Sequence, residues 1–391
     1  MYFTFSKESF YGIDATSQDY VVDILEEEII DNINYEKNTG FNKVSSQNRY
    51  PTVKSIDGRI EFEFTYGNEA WGLLLESIVG KRVTINGYQF AQSSERWKIV
   101  TGMLTSDLDS TSSDFSITEY KTGEFNNVDA IILKDELILV GGGSITDGVI
   151  IGSVRGEEGT LSDQHAAGVL AYGVKIMGGR SIDIVSRYRD GFSYKLPTSL
   201  TAIVYRNGDY FCFTGVKFSD LVFNAVPSEG ITFSGMANAK NIRVIELSSP
   251  SLAVDNGEMV DTDDMGCYSM GAEIDIEKLY FQISNSIAPY GAKFFDSTPQ
   301  DMIISAMSCY GQFSSTIPTT LEFYNAYLNN DTKNLSLVIS QDKNVENAYV
   351  LAFNNIKFGT MVRTVKSINQ IFDSVPFYCY GEKNFTIMIQ K

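Results

Sequence analysis

One histidine, four cysteines and 8 prolines in 391 residues leave few ways to build a catalytic or metal centre from this chain. A single imidazole, His165, cannot supply the usual ligand set of a zinc site. A Ser-His-Asp arrangement would have to use the same ring, and its neighbours in GTLSDQHAAG, Ser162 and Asp163, are only adjacent in a glycine-rich loop, whereas triads are assembled across a fold. His165 is therefore read as an ordinary surface histidine. Cys212, Cys267, Cys309 and Cys379 have no close spacing, which excludes a zinc pattern or a dense disulfide framework and leaves reduced, buried thiols in a cytoplasm as the expectation. No run approaches the ~18 apolar residues of a membrane span, and MYFTFSKESF lacks the basic and apolar regions of a leader, so no membrane insertion is expected. Cations are scarce as well. Lys plus Arg number 31 against 49 Asp plus Glu, a net charge of −18, and a groove that grips phosphates needs clustered cations.

The remaining motifs add little chemistry. Gly141, Gly142 and Gly143 before Ser144 lack the Gly-Lys-Ser/Thr ending and following helix of a phosphate loop, and read as a flexible turn. DLDSTSSD (Asp107 to Asp114) and DTDD (Asp261 to Asp264) lack the bidentate Glu at the twelfth position of a calcium loop and read as solvated acidic turns. No catalytic, cofactor-binding or metal-binding residue is assigned. No cofactor is expected, and the chain is read as a non-enzyme.

What the chain does have is apolar and aromatic material: 43% hydrophobic residues, 25 Phe and 22 Tyr, which with so few prolines favours packed β structure over disorder. Its length exceeds the ~100–200 residues of one domain, so two or three folded units are expected. In GRIEFEFTYGNEAWGLLLESIVG (58–80), Ile60, Phe62, Phe64 and Tyr66 alternate as on a strand. Asn68 then offers an N-cap, Trp71, Leu74, Leu75 and Ile78 recur at helical spacing, and Gly80 ends the helix. A second such unit is expected near 278–311. Leu279, Phe281 and Ile283 alternate, then Thr298, Pro299 and Asp301 suggest the start of a helix running through DMIISAMSCY to Gly311.

Downstream, SLTAIVYRNGDYFCFTGVKFSDLVF from Ser199 aligns without a gap to NLSLVISQDKNVENAYVLAFNNIKF from Asn334, and KNIRVI (Lys240 to Ile245) matches KNFTIM (Lys383 to Met388). The two halves thus share the order strand, helix, hairpin, closing strand. The first half carries roughly a hundred extra residues, enough for a small domain, in which FSITEY, VDAIILKDELILVGG and SIDIVSRYRDGFSYKL read as strands. Residues 31–57, rich in Asn, Ser and Lys, read as a long loop and candidate contact arm. Asp23, Glu26, Glu27, Glu28 and Asp31 read as a solvated acidic face.

The alternating strand and Gly-terminated helix of residues 58–80, the "SLT" strand and TGVKFSDLVF of residues 199–223, ITFSGMANAKNI, and IDIEKLYFQISNSI in the second half resemble the major tail tube proteins of long-tailed bacteriophages. The resemblance implies a mainly β fold: two tandem tail-tube-like β-sandwich or barrel units, each with one flanking helix. The first unit would span 1–97 and 198–250, an inserted, outward-facing β-rich module 98–197, and the second unit 251–391. It implies a structural subunit that self-assembles into stacked rings, trimeric and pseudo-hexameric, with a hexamer as the fallback. Its partners would be itself, a tape measure protein and tail-end proteins, with DNA passing through a carboxylate-lined bore without specific binding. The protein would then reside in the virion tail, assembled in the host bacterial cytoplasm. The alternatives are a tail-completion or baseplate hub ring of the same fold, a decorated capsid component, or a carbohydrate-binding or glycan-cleaving β protein that recognises sugar through the inserted module.

Overall fold

The computed structural model describes residues 2–9, 12, 20–37, 49–68, 70–94, 99–140, 144–186, 189–190, 193–194, 198–206, 208–226, 230–245, 258–260, 265–269, 272–274, 276–290, 301–340, 347–367, 370–379 and 385–391. The protein is mainly β, 66% strand against 8% helical, and the strand pairings among the described residues are antiparallel, several of them between strands far apart in the chain. The first half opens with β1 (Tyr2–Lys7), β2 (Tyr20–Glu27), β3 (Ile30–Lys37), β4 (Arg49–Glu63) and α1 (Ala70–Val79). A central segment follows with β5 (Lys81–Phe90), β6 (Thr101–Leu104), β7 (Phe115–Glu119), β8 (Ala130–Leu133), β9 (Glu136–Leu139), β10 (Ser144–Thr146), β11 (Val149–Ile151), β12 (Leu170–Ser186), β13 (Arg189–Asp190) and β14 (Ser193–Tyr194). The half closes with β15 (Leu200–Arg206), β16 (Asp209–Val226), β17 (Gly230–Ala239) and β18 (Asn241–Ile245). The second half contains β19 (Met265–Ser269), β20 (Ala272–Glu273), β21 (Ile276–Tyr290), β22 (Asp301–Thr316), α2 (Ile317–Asn329), β23 (Lys333–Ser340), β24 (Ala348–Phe358), β25 (Val362–Ser367), β26 (Gln370–Cys379) and β27 (Phe385–Gln390).

Two long strands organise the layers. The early part of β16 pairs with β15 and β18, and its later part with β17 and β21, so one strand turns the corner between two sheets. β24 does the same, pairing early with β23 and β27 and late with β26. Further pairings recur across the halves: β1 lies on β15 as β19 lies on β23, and β4 lies on β17 as β22 lies on β26. The order β3–β4–β17–β16–β21–β22–β26–β25 is a single eight-stranded sheet, with β16 on β21 as the seam between halves. At that seam Phe223 stacks on Phe281, ring centroids 4.8 Å apart. One hydrophobic cluster runs from Phe5 to Ile389 through both halves.

α1 forms where local chemistry dictates. The Asn68 side chain accepts the Ala70 N–H at 2.8 Å, and Gly80 closes the helix with positive φ. All ten residues of α1 are buried, with Trp71 against Phe64 at 4.9 Å and Phe62 at 6.0 Å. The buried Glu76 is answered by Lys7 at 2.7 Å and Arg82 at 3.5 Å.

Several sequence expectations need correction. The helix expected through DMIISAMSCY is strand β22, and α2 begins after it, at Ile317. β21 pairs with β22 from Ile276 opposite Ser315 to Tyr290 opposite Asp301, so ladder hydrogen bonds and cross-strand packing override the helical spacing of that run. Gly311 is no helix stop but a mid-strand close approach: a Cβ there would overlap the Phe377 ring and come within 2.7 Å of the Tyr280 carbonyl. Thr298 and Pro299 lie outside the described residues. Much of the expected loop 31–57 is the β3–β4 hairpin, paired from Ile30 opposite Asp57 to Lys37 opposite Arg49; a backbone ladder needs no hydrophobic periodicity. The two later hairpins do not align gaplessly. With Ala202 placed on Leu337, Phe213 falls on Leu351 rather than Ala348, because the second turn is longer.

The central segment has its own core, from Ala91 to Ala171, but it is also stitched to the second half. β12 pairs with β27 from Ile182 opposite Gln390 to Ser186 opposite Thr386. A second cluster mixes Ile85, Phe90, Tyr172 and Ile184 with Val338, Val350 and Met388. The Tyr172 hydroxyl meets Ser336 at 2.7 Å, and the Leu170 N–H donates to the Asn354 carbonyl oxygen of its side chain at 3.1 Å.

Candidate functional site

The eight-stranded sheet presents an open face. Strand alternation sends Leu221, Phe223, Leu279, Phe281, Ile283, Phe313, Val375 and Phe377 into the core, and their in-between neighbours to the other face. Those neighbours are Asp220, Val222 and Asn224 on β16, Lys278, Tyr280, Gln282 and Ser284 on β21, Ser308, Tyr310, Gln312 and Ser314 on β22, and Ser374, Pro376 and Tyr378 on β26. All are half-buried or exposed. Tyr280 and Tyr310 both donate their hydroxyls to the Gln282 side-chain oxygen, and the rings lie 6.1 Å apart. Burial, then the Tyr310 hydroxyl, pushes the Tyr280 phenol up to about 12, so it remains a neutral donor. Of the charged residues on this face whose side chains are described, Asp57, Glu61 and Asp220 stand against Arg59, Lys278 and Lys357. The described side chains of the face are mostly hydroxyls and amides.

The densest chemistry lies elsewhere, in the central segment. Glu136, wholly buried, receives Arg155 through Nε at 2.6 Å and Nη2 at 2.8 Å, His165 Nε2 at 2.7 Å, and the backbone N–H groups of Gly156 and Asp163 at 3.1 Å. Burial pushes the Glu136 carboxyl up. The bonds from His165, Arg155 and Asp163 and the Arg155 charge together outweigh it and hold the group below its ordinary value. Arg155 in turn donates to the carbonyls of Asp109, Ser112 and Asp163, tying three loops together. His165 Nδ1 has no hydrogen-bond partner, so the neutral ring with its proton on Nε2 is the form that leaves no buried donor unpaired. The Glu136 carboxylate is fully engaged, and the cluster ties the surrounding loops together.

His165 is thus buried rather than on the surface, a correction whose reason is its bond to Glu136. Its sequence neighbours do other things: the Ser162 hydroxyl donates to the Ser110 carbonyl, and Asp163 serves Glu136 through its backbone. Nothing in the sequence near His165 signalled Glu136 or Arg155; the only hint was a charged residue inside the apolar run IILKDELILV. A cleft of about 470 Å³ is lined by Asp107, Asp109, Lys134 and Gln164 beside this cluster. Asp109 there closes a local turn, accepting the N–H groups of Thr111 and Ser112 at 2.8 and 2.7 Å. Among the described residues no group of three or more His, Cys, Asp or Glu is placed to hold a metal ion. Gly141–Gly143 and Asp261–Asp264 lie outside the described residues.

The cysteines are free, three of them buried, and the acidic patch is only partly solvated. Cys309 and Cys379, far apart in sequence, sit directly opposite each other on β22 and β26, both as free thiols. In the acidic patch, Glu26 and Glu28 are exposed, but the Glu27 side chain is buried in an ion pair with Arg206. No described helix is long and apolar enough to cross a membrane. No protein-family model matches the chain, and comparison with curated proteins finds no match.

Proposed function

We propose that this chain is a structural subunit that assembles with copies of itself into stacked rings forming a hollow tube, as the major tail tube proteins of long-tailed bacteriophages do. The observation that carries the reading is the eight-stranded sheet. Two halves with recurring pairings are already joined edge to edge through β16 and β21, one face of the sheet is sealed by the shared core, and the other is open and polar. We read the halves as two copies of one unit, so that three chains would close a ring. The open face would then line the bore. The wall's described side chains are mainly Ser, Gln, Asn and Tyr with as many acids as bases, and among them no array of cations would release counterions from DNA, so a duplex would pass without being held. The chain's net charge of −18 acts at longer range in the same sense. On this reading a tape measure protein and tail-end proteins are the further partners, and the virion tail is the site of residence. Negative-stain microscopy of the purified full-length protein tests the proposal: hollow tubes or rings are expected, and dispersed monomers at high concentration would refute it.

A further inference from the structure

We infer that one copy of the chain binds the next head to tail by setting Lys357–Arg363 of one molecule against Ile24–Ile30 of its neighbour as adjacent antiparallel strands. This rests on the tube-subunit reading and names the contact that propagates it.

The template is the seam within the chain. There β16 pairs with β21 from Asp220 opposite Ser284 to Ala225 opposite Leu279. Each side of that seam has a counterpart in the other half, fixed by shared neighbours. Asp220 lies opposite Met236 on β17, and Lys357 lies opposite Tyr378 on β26; Phe218 and Ile356 lie opposite Ala237 and Cys379. Residues 220–225 therefore correspond to 357–363, with one extra residue between Gly359 and Val362, which carry on along β26. On the other side, Phe281 lies opposite Gly311 as Glu27 lies opposite Ile60, and Leu279 lies opposite Phe313 as Ile24 lies opposite Phe62, so residues 279–284 correspond to 24–30, with Leu25 the extra residue of a bulge. One complementary pair of edges is consumed inside the molecule. The second pair is left over, and a heterologous contact of this kind propagates from copy to copy until it closes.

The leftover edges look unfinished. Among the described residues, β23 reaches β24 no further than Ile356, and no strand lies on the far side of 357–367. On the other edge Leu25 is 54% exposed, a large apolar residue that an edge strand would otherwise avoid. The Ile29 N–H on this edge is held by the Glu27 carboxylate at 2.6 Å and its carbonyl by Arg206 at 2.9 Å, side-chain bonds that an incoming strand displaces. The charges match as well. Glu26 and Glu28 are exposed on one edge, and Lys357 on the other falls diagonal to Glu28 in the inferred register, while Arg363 falls opposite Ile24, next to the bulged Leu25. The acidic stretch LEEEII is then half of an interface.

The test uses full-length protein in two ways. The double variant Glu26→Cys/Val362→Cys, whose positions oppose each other in this register, is oxidised with copper phenanthroline; a ladder of cross-linked multimers is expected, absent from either single variant. Separately, Glu26→Lys/Glu28→Lys should raise the protein concentration needed for assembly about tenfold or more, equivalent to ~1.4 kcal/mol or more per contact, with the circular dichroism of the monomer unchanged, and adding Lys357→Glu should recover part of the loss. Tubes that form normally in the charge-reversed variant, with no ladder from the double cysteine, overturn this contact and leave the tube reading standing. A wild-type protein that stays monomeric, with no ladder from the cysteine pair, overturns both.

Discussion

Replacing Glu136 by Gln removes the charge at the centre of the Glu136–Arg155–His165 knot while keeping its shape. The amide retains one acceptor oxygen for the five donors now served by two carboxylate oxygens, and Arg155, whose side chain is 7% exposed, loses its counter-charge. Breaking one partner of a buried pair costs about 3–5 kcal/mol. Because Arg155 keeps the carbonyls of Asp109, Ser112 and Asp163, the lower end, ~3 kcal/mol, is expected. Hydrogen exchange read by mass spectrometry on peptides covering 130–140 and 150–170 should then show openings about a hundredfold more frequent in E136Q, since each 1.36 kcal/mol is a factor of ten. The pH dependence follows from the lowered Glu136 carboxyl. A group depressed in the folded state contributes stability that is fully present above its unfolded value, ~4.3, and is lost as pH falls through the folded one. Wild-type protection, corrected for intrinsic exchange, should therefore decline below pH ~4, and E136Q should lack that component. Protection that changes by less than about threefold at neutral pH, roughly 0.6 kcal/mol, would refute the role given to this cluster.

Gly311→Ala should lower the urea midpoint by an amount equivalent to ~1–3 kcal/mol, because the added methyl meets the Phe377 ring and the Tyr280 carbonyl in a packed sheet. Asn68→Ala removes both the Ala70 cap and the bond from its amide to the Val21 carbonyl at 3.1 Å, and thermal unfolding should report a loss of ~1–2 kcal/mol. Phe281→Ala at the seam, wholly buried against Phe223 and Phe353, should cost ~3–5 kcal/mol in urea unfolding. Thiol labelling of the native protein at pH 8 should be very slow at all four cysteines and complete on denaturation: burial pushes Cys212 up to about 11 and Cys379 up to about 12, and lifts Cys267 and Cys309 as well.

Legibility in the sequence followed the range of the interaction. The α1 region was readable because Asn68, the apolar spacing of Trp71 to Ile78 and Gly80 act within one or two turns of chain. The hairpin pairs β15–β16 and β23–β24 were readable from alternation, and only their relative register was missed, since turn length leaves no mark on the strands beside it. β22 was misread because MIISAMS suits either period, and the deciding partner, β21, lies across a connection. His165 was misread for the same reason: Glu136 and Arg155 are local to it only after β9 and the loops around it have folded.

The central segment changes what the recurrence of pairings means. β18 and β27 hold equivalent places, each closing on the early part of a corner strand, with Ile242 opposite Phe213 and Ile387 opposite Leu351. β27 is buried along its whole length because β12 lies on its far edge, whereas Val244 on β18 is 60% exposed and no described strand lies beyond it. A segment belonging to the first half therefore finishes a sheet of the second half. If the segment were an independent appendage, the core would stop at its boundary. Instead Phe90, Tyr172 and Ile184 pack with Val350 and Met388, so burial holds the halves together on the side of the molecule away from the open face. The halves are for that reason not interchangeable, and a ring built from this chain repeats once per molecule, with one covered and one open outer edge in each.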